Sequence, residues 1–504
     1  MKPAWWRFPL FLSFYALTAA GQRQQPLDKA ALFDNYVRKA LAVWRTPGMS
    51  IVVVKDDQMV FKKGFGVTEL GKTAAFTTAT IGVCASTTKA MTAVCMGMLV
   101  DEGKLRWTDR LRDVFPEFSL YDPYVAAELT VRDLFTHNAG LGNTDGLWAY
   151  GYSRDEILRR VRWVPPAYSL RSSFTYQNVM YIVAGELIRK VSGQTWEDFI
   201  THRLFGPLGM HHSYASYALG AGEPSKETPH FMMPDSSIRT IPFLYHEDLG
   251  PAGGVWSCAD DMEKWMRFML DSARVNGRRL LKAGTWSELF RPQSLVTESE
   301  FYPTVGLTHS SWTTYGLGWF QEDYRGRMVQ FHTGSLDGAV AIVGLMPSEH
   351  FGIYIFGNLD HSELRHALMY KAMDLWGFSD NSRDWSAECY AMYKKVKDEG
   401  RQKDKEKEAR RVKGTKPSVP LATYAGKYTN EIYGDAHVIL GGDSLRVEFP
   451  NNVCLRLQHW NYDTFVGYYD YFWWDREWIQ FSLDPEGKIM QFEKDGVVYK
   501  PVKN

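Results

Sequence analysis

Apolar positions in this chain follow several rhythms, and each predicts a different kind of element. From Leu27 to Val43 they recur at helical spacing, which predicts a helix stopped by Pro47-Gly48. Met49 to Val54 is a β-branched run. With Met59-Val60-Phe61 across a polar Asp56-Asp57 turn it predicts a β-hairpin. Ser86 to Val100 is almost continuously apolar beyond its first turn, with Gly103 placed as a C-cap, so it predicts a helix buried on all sides. Further helices are predicted at Val179 to Val191 and Met262 to Leu270. Strand-like runs return at Met328 to Phe331, Ala339 to Leu345 and Gly352 to Phe356. Strands at both ends with helices between them imply an α+β fold, one sheet closed by both segments plus a helical lobe.

The rhythm changes twice more. From Lys394 to Lys416 Lys, Arg, Glu and Asp alternate, which reads as a solvated helix or linker. Beyond Pro417 short alternating runs follow: His437 to Leu440, Leu445 to Phe449, Val453 to Leu457, Phe465 to Tyr468, Trp478 to Leu483, Ile489 to Glu493 and Val497 to Val502. Turn signals such as Gly441-Gly442-Asp443 separate them. Strands this short and regular predict a small all-β barrel or sandwich.

The N-terminus obeys another rule. Lys2 and Arg7 precede an apolar run from Phe8 to Leu17, then Ala19, Ala20 and Gly21. A basic start, a core shorter than the roughly 20 residues of a spanning helix and a small-residue site predict a secretory signal peptide over residues 1–21. The alternative is an N-terminal membrane anchor. Export to the periplasm or the exterior is expected, without stable membrane insertion after cleavage.

Composition narrows the function classes. With 504 residues, 45% hydrophobic and 23% charged, the chain is neither disordered, collagen-like nor a disulfide miniprotein. Lys plus Arg equals Asp plus Glu at 58 each, so nothing implies a nucleic-acid partner. Cys84, Cys95, Cys258, Cys389 and Cys454 are odd in number and spread out, so neither a disulfide framework nor a zinc site is expected. His211-His212 and His361 with His366 are not spaced as metal ligands. No cofactor or metal is implied.

Candidate chemistry begins at Ser86-Thr87-Thr88-Lys89, which puts a hydroxyl and an amine one helical turn apart on one face. A serine becomes a nucleophile when a neighbour takes its proton, and a lysine does so only if burial lowers its pKa from about 10.4 toward neutrality. About two such spacings arise by chance in a chain of this length. Taken alone, the pair is read in preference as Ser86 capping a helix with Lys89 on a solvated face. Two further groups keep it company. Tyr176-Gln177-Asn178 sits at a loop-to-helix junction, and His332-Thr333-Gly334 ends a strand before Ser335 and an Asp337-Gly338 turn.

In these three boxes and their order the chain resembles the serine β-lactamase and penicillin-binding protein superfamily, in its class C-like branch of D-aminopeptidases, esterases and carboxypeptidases. Pro47-Gly48-Met49-Ser50-Ile51-Val52-Val53, Thr136-His137-Asn138-Ala139-Gly140-Leu141 and Gly253-Gly254-Val255-Trp256-Ser257 support the resemblance, which covers roughly residues 28 to 380. It implies a β-lactamase-like antiparallel sheet flanked by helices, a hydrolase domain over residues 22–390, a charged linker or helix over 391–418 and a lipocalin-like barrel over 419–504. It also implies roles. Ser86 is the acylated nucleophile, Lys89 its activating partner and Tyr176 a proton shuttle, with the choice of base between the last two left open. Asn178 binds the acyl-side amide or caps the helix at Val179. His332 faces Tyr176 and Ser86 across the cleft, Gly334 and Ser335 complete the substrate side, and the backbone N–H groups of Ser86 and Ser335 form the oxyanion hole.

The expected reaction is hydrolysis of an ester, amide or D-amino-acid peptide, a small-molecule or peptide substrate, through an acyl-enzyme. The alternatives are a penicillin-binding β-lactamase or D,D-carboxypeptidase, and a non-catalytic sensor or scaffold. His332 stands where β-lactamases of acidic antibiotics carry lysine, so efficient β-lactam hydrolysis is not expected. Asn138 departs from the family's usual His-Thr-Ser-Gly-Leu stretch, a structural loop. Ser257 is expected to cap the helix that follows. Trp473-Trp474 and Tyr468-Tyr469 are expected in barrel core and strand pairing, with carbohydrate or peptide binding as the alternative. The loops Asp145 to Tyr152 and Pro234 to His246 are expected to set substrate choice.

Overall fold

The computed structural model describes residues 28–244 and 247–502, so the expected signal peptide lies outside the described residues. Helix α1 (Lys29–Trp44) leads into strands β1 (Gly48–Lys55) and β2 (Gln58–Gly66). Helices α2 (Thr88–Asp101), α3 (Asn178–Ser192) and α4 (Ala259–Leu270) follow. Then come β3 (Ser294–Leu295), β4 (Thr313–Tyr315), β5 (Phe320–Tyr324), β6 (Arg327–Leu336), β7 (Ala339–Met346) and β8 (Phe351–Gly357). These eight strands form one antiparallel sheet in the order β2-β1-β8-β7-β6-β5-β4-β3. The N-terminal hairpin therefore docks on the last strand, Ile51 opposite Ile355, and closes the sheet as expected.

Strand β7, in the middle of the sheet, is apolar and buried at every position because both sheet faces are covered. Met49, Ile51 and Val53 of β1 enter one core with Phe33 and Val37 of α1 and with helices α5 (Leu364–Ala372) and α6 (Trp385–Ala409). Val52 and Val54 enter the other core, with α2, α3 and α4. Helix α2 sits inside this second core, buried from Thr88 to Leu99.

The C-terminal strands form a closed barrel: β9 (Gly426–Asn430), β10 (Gly434–Gly441), β11 (Ser444–Glu448), β12 (Cys454–Asn461), β13 (Thr464–Tyr469), β14 (Glu477–Leu483), β15 (Ile489–Lys494) and β16 (Val497–Pro501). The pattern of polar and apolar positions predicted seven of these. The eighth, β9, closes the barrel by pairing with both β10 and β16. It buries only Tyr428, too little alternation to announce a strand. The charged segment before the barrel is helical through Ala409, the end of α6.

The barrel docks on the helical lobe. Tyr152 donates to the Tyr433 carbonyl at 2.7 Å, Arg160 to the Ile432 carbonyl at 3.1 Å, and the Asn451 amide to the Tyr150 carbonyl. Apolar side chains of the barrel join the same core as α2. Among the described residues no helix is long and apolar enough to cross a membrane.

Candidate functional site

Ser86 rides on a 3-10 turn, Ala85–Thr87, that leads directly into α2. The turn is fastened from several sides. The Cys84 N–H donates to the Val255 carbonyl at 2.8 Å, and the Val83 N–H to Glu227 Oε1 at 2.9 Å. Thr87 Oγ1 donates to the Cys84 carbonyl at 3.0 Å and lies 2.6 Å from the Tyr354 hydroxyl. These contacts hold Ala85 at φ 45°, a left-handed conformation that a residue with a Cβ adopts at a cost. Ser86 does not cap the helix, and its side chain is half-buried.

Lys89 is fully buried, so the solvated alternative for this residue is overturned. Its Nζ lies 3.2 Å from Ser86 Oγ, 2.7 Å from Asn178 Oδ1 and 2.8 Å from the Ala252 carbonyl. The rings of Tyr176 and Tyr181 stand 4.7 and 5.3 Å away. Burial drives the amine down to about 7, with Asp145 working in the opposite direction. Asn178 is the first residue of α3, and the cap position falls to Gln177, so its side chain serves the site. Its amide also donates to Asp145 Oδ1 at 3.0 Å.

Tyr176 presents a buried hydroxyl with no hydrogen-bond partner among the described residues. Burial raises its pKa well above the usual phenol value, with Ser86 as the neighbour that opposes the rise. The phenol is therefore protonated at neutral pH. Between the two candidate bases the electrostatics favour the Lys89 amine.

The third box differs from expectation in two respects. His332 to Ser335 lie inside β6, which runs on to Leu336 before the Asp337-Gly338 turn. His332 is only 1% exposed, and both its nitrogens are engaged. Nδ1 donates to the Thr333 carbonyl at 2.6 Å, so Nε2 accepts from the Tyr315 hydroxyl at 2.9 Å. Burial, aided by Lys89, lowers its pKa to about 3. Its ring centroid lies 6.0 Å from that of Tyr176, so it walls the site and offers no nitrogen to a substrate. Gly334 is required by proximity, because a Cβ there would stand 2.2 Å from the Cys84 carbonyl oxygen. The strand and the Ser86 turn thus touch backbone to backbone.

Arg365 escaped the motif reading, and residues of the quoted supporting stretches take places that spacing did not give. Arg365, 3% exposed, donates to the Gly334 carbonyl and, at 2.8 Å, to Ser335 Oγ, while Glu363 holds its other end at 3.1 Å. Its signal was faint, a charge inside the apolar stretch around Leu364 and Leu368. His137 accepts the Gln177 N–H on Nδ1 at 2.9 Å, and its carbonyl accepts the Thr175 N–H at 2.9 Å. Its ring packs 4.4 Å from that of Tyr176, so it clamps the segment carrying Tyr176 and Asn178. Asn138, in the same loop, accepts from Thr136 Oγ1 at 2.7 Å. Ser257 does not cap α4; Cys258 holds that position, and Ser257 Oγ pairs with Ser213 Oγ at 2.8 Å. Among the described residues no group of His, Cys, Asp or Glu is arranged to hold a metal ion.

Known proteins share this architecture. Residues 33–375 match the family model described as Beta-lactamase, and residues 410–499 match a domain of unknown function, DUF3471. The unguisins hydrolase ungD of Aspergillus violaceofuscus is 25% identical over 452 residues, covering 82% of this chain and 77% of the relative. The octameric penicillin-binding protein homologue from Pyrococcus abyssi superposes with a TM-score of 0.62 at 18% identity, over 93% of this chain and 99% of that one. The structure of SurE with D-Leu gives 0.56 at 17%, over 95% and 100%. With the family model spanning the sheet, the helical lobe and all three boxes, this chain belongs to the beta-lactamase family.

Proposed function

We propose that the protein is a serine hydrolase that acts through an acyl-enzyme on Ser86, on an ester, amide or D-amino-acid peptide. The observation that carries this reading is Lys89 Nζ, 3.2 Å from Ser86 Oγ and buried so that its amine is neutral down to about pH 7. A neutral amine has two N–H donors and one lone pair. Asn178 Oδ1 and the Ala252 carbonyl take the donors at 2.7 and 2.8 Å, which leaves the lone pair for the Ser86 hydroxyl. Ser86 Oγ attacks the substrate carbonyl as its proton passes to Lys89, and backbone N–H groups of Ser86 and Ser335 meet the developing oxyanion. The protonated Tyr176 phenol passes a proton to the leaving group and is restored from Lys89. Water then releases the acyl half by the reverse route.

The fungal relative is an unguisins hydrolase, and the D-Leu seen with SurE favours a substrate that carries a D-amino acid. The engaged, neutral His332 gives an antibiotic carboxylate no cationic anchor there, which disfavours the β-lactamase alternative. The basic, apolar and small-residue N-terminus supports export, which N-terminal sequencing of the mature protein would test.

The test is the intact mass after exposure to a fluorophosphonate, a p-nitrophenyl ester, D-alanyl p-nitroanilide and a fluorescent penicillin. Fluorophosphonate labelling and turnover of the ester or anilide are expected, and Ser86→Ala removes both, with a loss of at least about 1,000-fold in turnover. Penicillin labelling alone would favour the runner-up. No adduct with any reagent would favour a scaffold.

A further inference from the structure

The barrel and the helical lobe enclose between them a cavity of about 570 Å³, within the range that holds a drug-sized ligand. Its inner wall includes Asp145 and Ser335. Asp145 is linked through Asn178 to Lys89 by hydrogen bonds of 3.0 and 2.7 Å. Ser86 is not part of the lining, so the chamber lies beside the reacting atoms. The outer wall comes from the barrel and includes Tyr433, Tyr469, Trp474 and Lys494. Tyr469 and Trp474, expected in barrel core and strand pairing, pack edge to face at 4.9 Å on this wall.

The chamber's chemistry is specific. Lys494 is 8% exposed and pairs with Glu477 at 3.2 Å, and His361 pairs with Asp360 at 2.8 Å. Those pairs balance, and Asp145, Asp475 and Asp495 tip the lining negative, among aromatic faces. Such a lining favours a cation that also carries apolar surface.

Building on the hydrolase reading above, we propose that this chamber binds a part of the substrate remote from the scissile bond. It selects a protonated amine on an apolar or aromatic frame, and barrel residues Trp474, Asp475 and Asp495 set that preference. The barrel then has a stated role, the outer half of the recognition pocket.

Competition against turnover of a neutral p-nitrophenyl ester tests this whichever half of the substrate occupies the chamber. Phenethylammonium, 2-phenylethanol and 3-phenylpropionate share a frame and differ in charge. The ammonium is expected to inhibit at a concentration at least about tenfold lower than the other two. In Asp475→Asn/Asp495→Asn, and separately in Trp474→Ala, that advantage shrinks to about twofold or less. Asp398→Asn on α6, outside the chamber's lining, retains it, and melting curves check that each variant is folded. An unmodified advantage in both chamber variants, or none in the wild type, overturns the proposal. If Ser86 is labelled by fluorophosphonate while the preference is absent, only the chamber assignment falls. If Ser86 takes no label, the hydrolase reading fails first and this one with it.

Discussion

Two buried lysines, one in each half of the molecule, are held in opposite states. Lys89 has no carboxylate in contact, and burial brings its amine down to about 7. Lys494, nearly as buried, has Glu477 at 3.2 Å, and its pKa is raised although burial acts against it. Burial alone thus does not decide the charge; the nearest partner does. Around Ser86 the buried lysine, imidazole and phenol are all neutral, with His332 lowered and Tyr176 raised alongside Lys89. The barrel half keeps its charge by pairing. A reacting base needs the first environment, and a recognition wall can use the second.

Arginine separates the two most sharply, because its guanidinium does not deprotonate in proteins. Lys89→Arg should lose at least about 1,000-fold in ester turnover, since no lone pair remains to accept the Ser86 proton. Lys494→Arg keeps the charge that pairs with Glu477 and should melt within a few degrees of wild type, a change of roughly 1 kcal/mol or less. Near-normal turnover in Lys89→Arg would show that Lys89 is not the base.

A milder effect comes from titrating Lys89 in place. If its neutral form is the base, kcat/KM should rise with pH through about 7, and at pH 5 it should lie about 100-fold below the plateau. The stability sign is separate. Between about 7 and 10.5 the unfolded chain holds a proton on this lysine that the folded one lacks, so its contribution to stability increases with pH across that window. Below about 7 both states are protonated and the contribution is constant. A rate profile flat from pH 5 to 8 would contradict the assignment.

Much of this architecture was legible in the chain because burial leaves periodic traces. Ser86 to Val100 reads as a core helix, and the β-branched run at Met49 reads as the first strand of a hairpin. Lys89 and Ser86 share a face by spacing alone. What spacing cannot give is the burial of Lys89, since that depends on α3 and the short helix Gly250–Gly253 folding over it. Nor could His332 be known to turn both nitrogens away, because Tyr315, which engages one, lies on a neighbouring part of the sheet. Strand β9 was missed for a local reason, a single inward side chain. Arg365 was missed because a buried charge in a mixed helix leaves no periodic signal.

The smallest expected effect concerns a carboxyl that, like the groups around Ser86, is buried without a charged partner. Glu227, 1% exposed beneath the Ser86 turn, accepts the Val83 N–H on Oε1, and its other oxygen has no partner among the described residues. Burial raises its pKa to about 8 from 4.5. Between those values the unfolded carboxyl ionises while the folded one keeps its proton, so stability falls as pH rises through the window. Glu227→Gln keeps the oxygen that serves Val83 and removes the ionisation. Its extra amide N–H takes the same amount off at every pH, leaving a gain of about 1–2 kcal/mol near pH 7 to 8 and a net loss near pH 4, where the ionisation contributes nothing. Melting temperatures of both proteins across that range should therefore cross with rising pH. A difference that stays constant would mean that Glu227 is ionised in the folded protein, and the hydrolase half would then hold a buried charge without a partner.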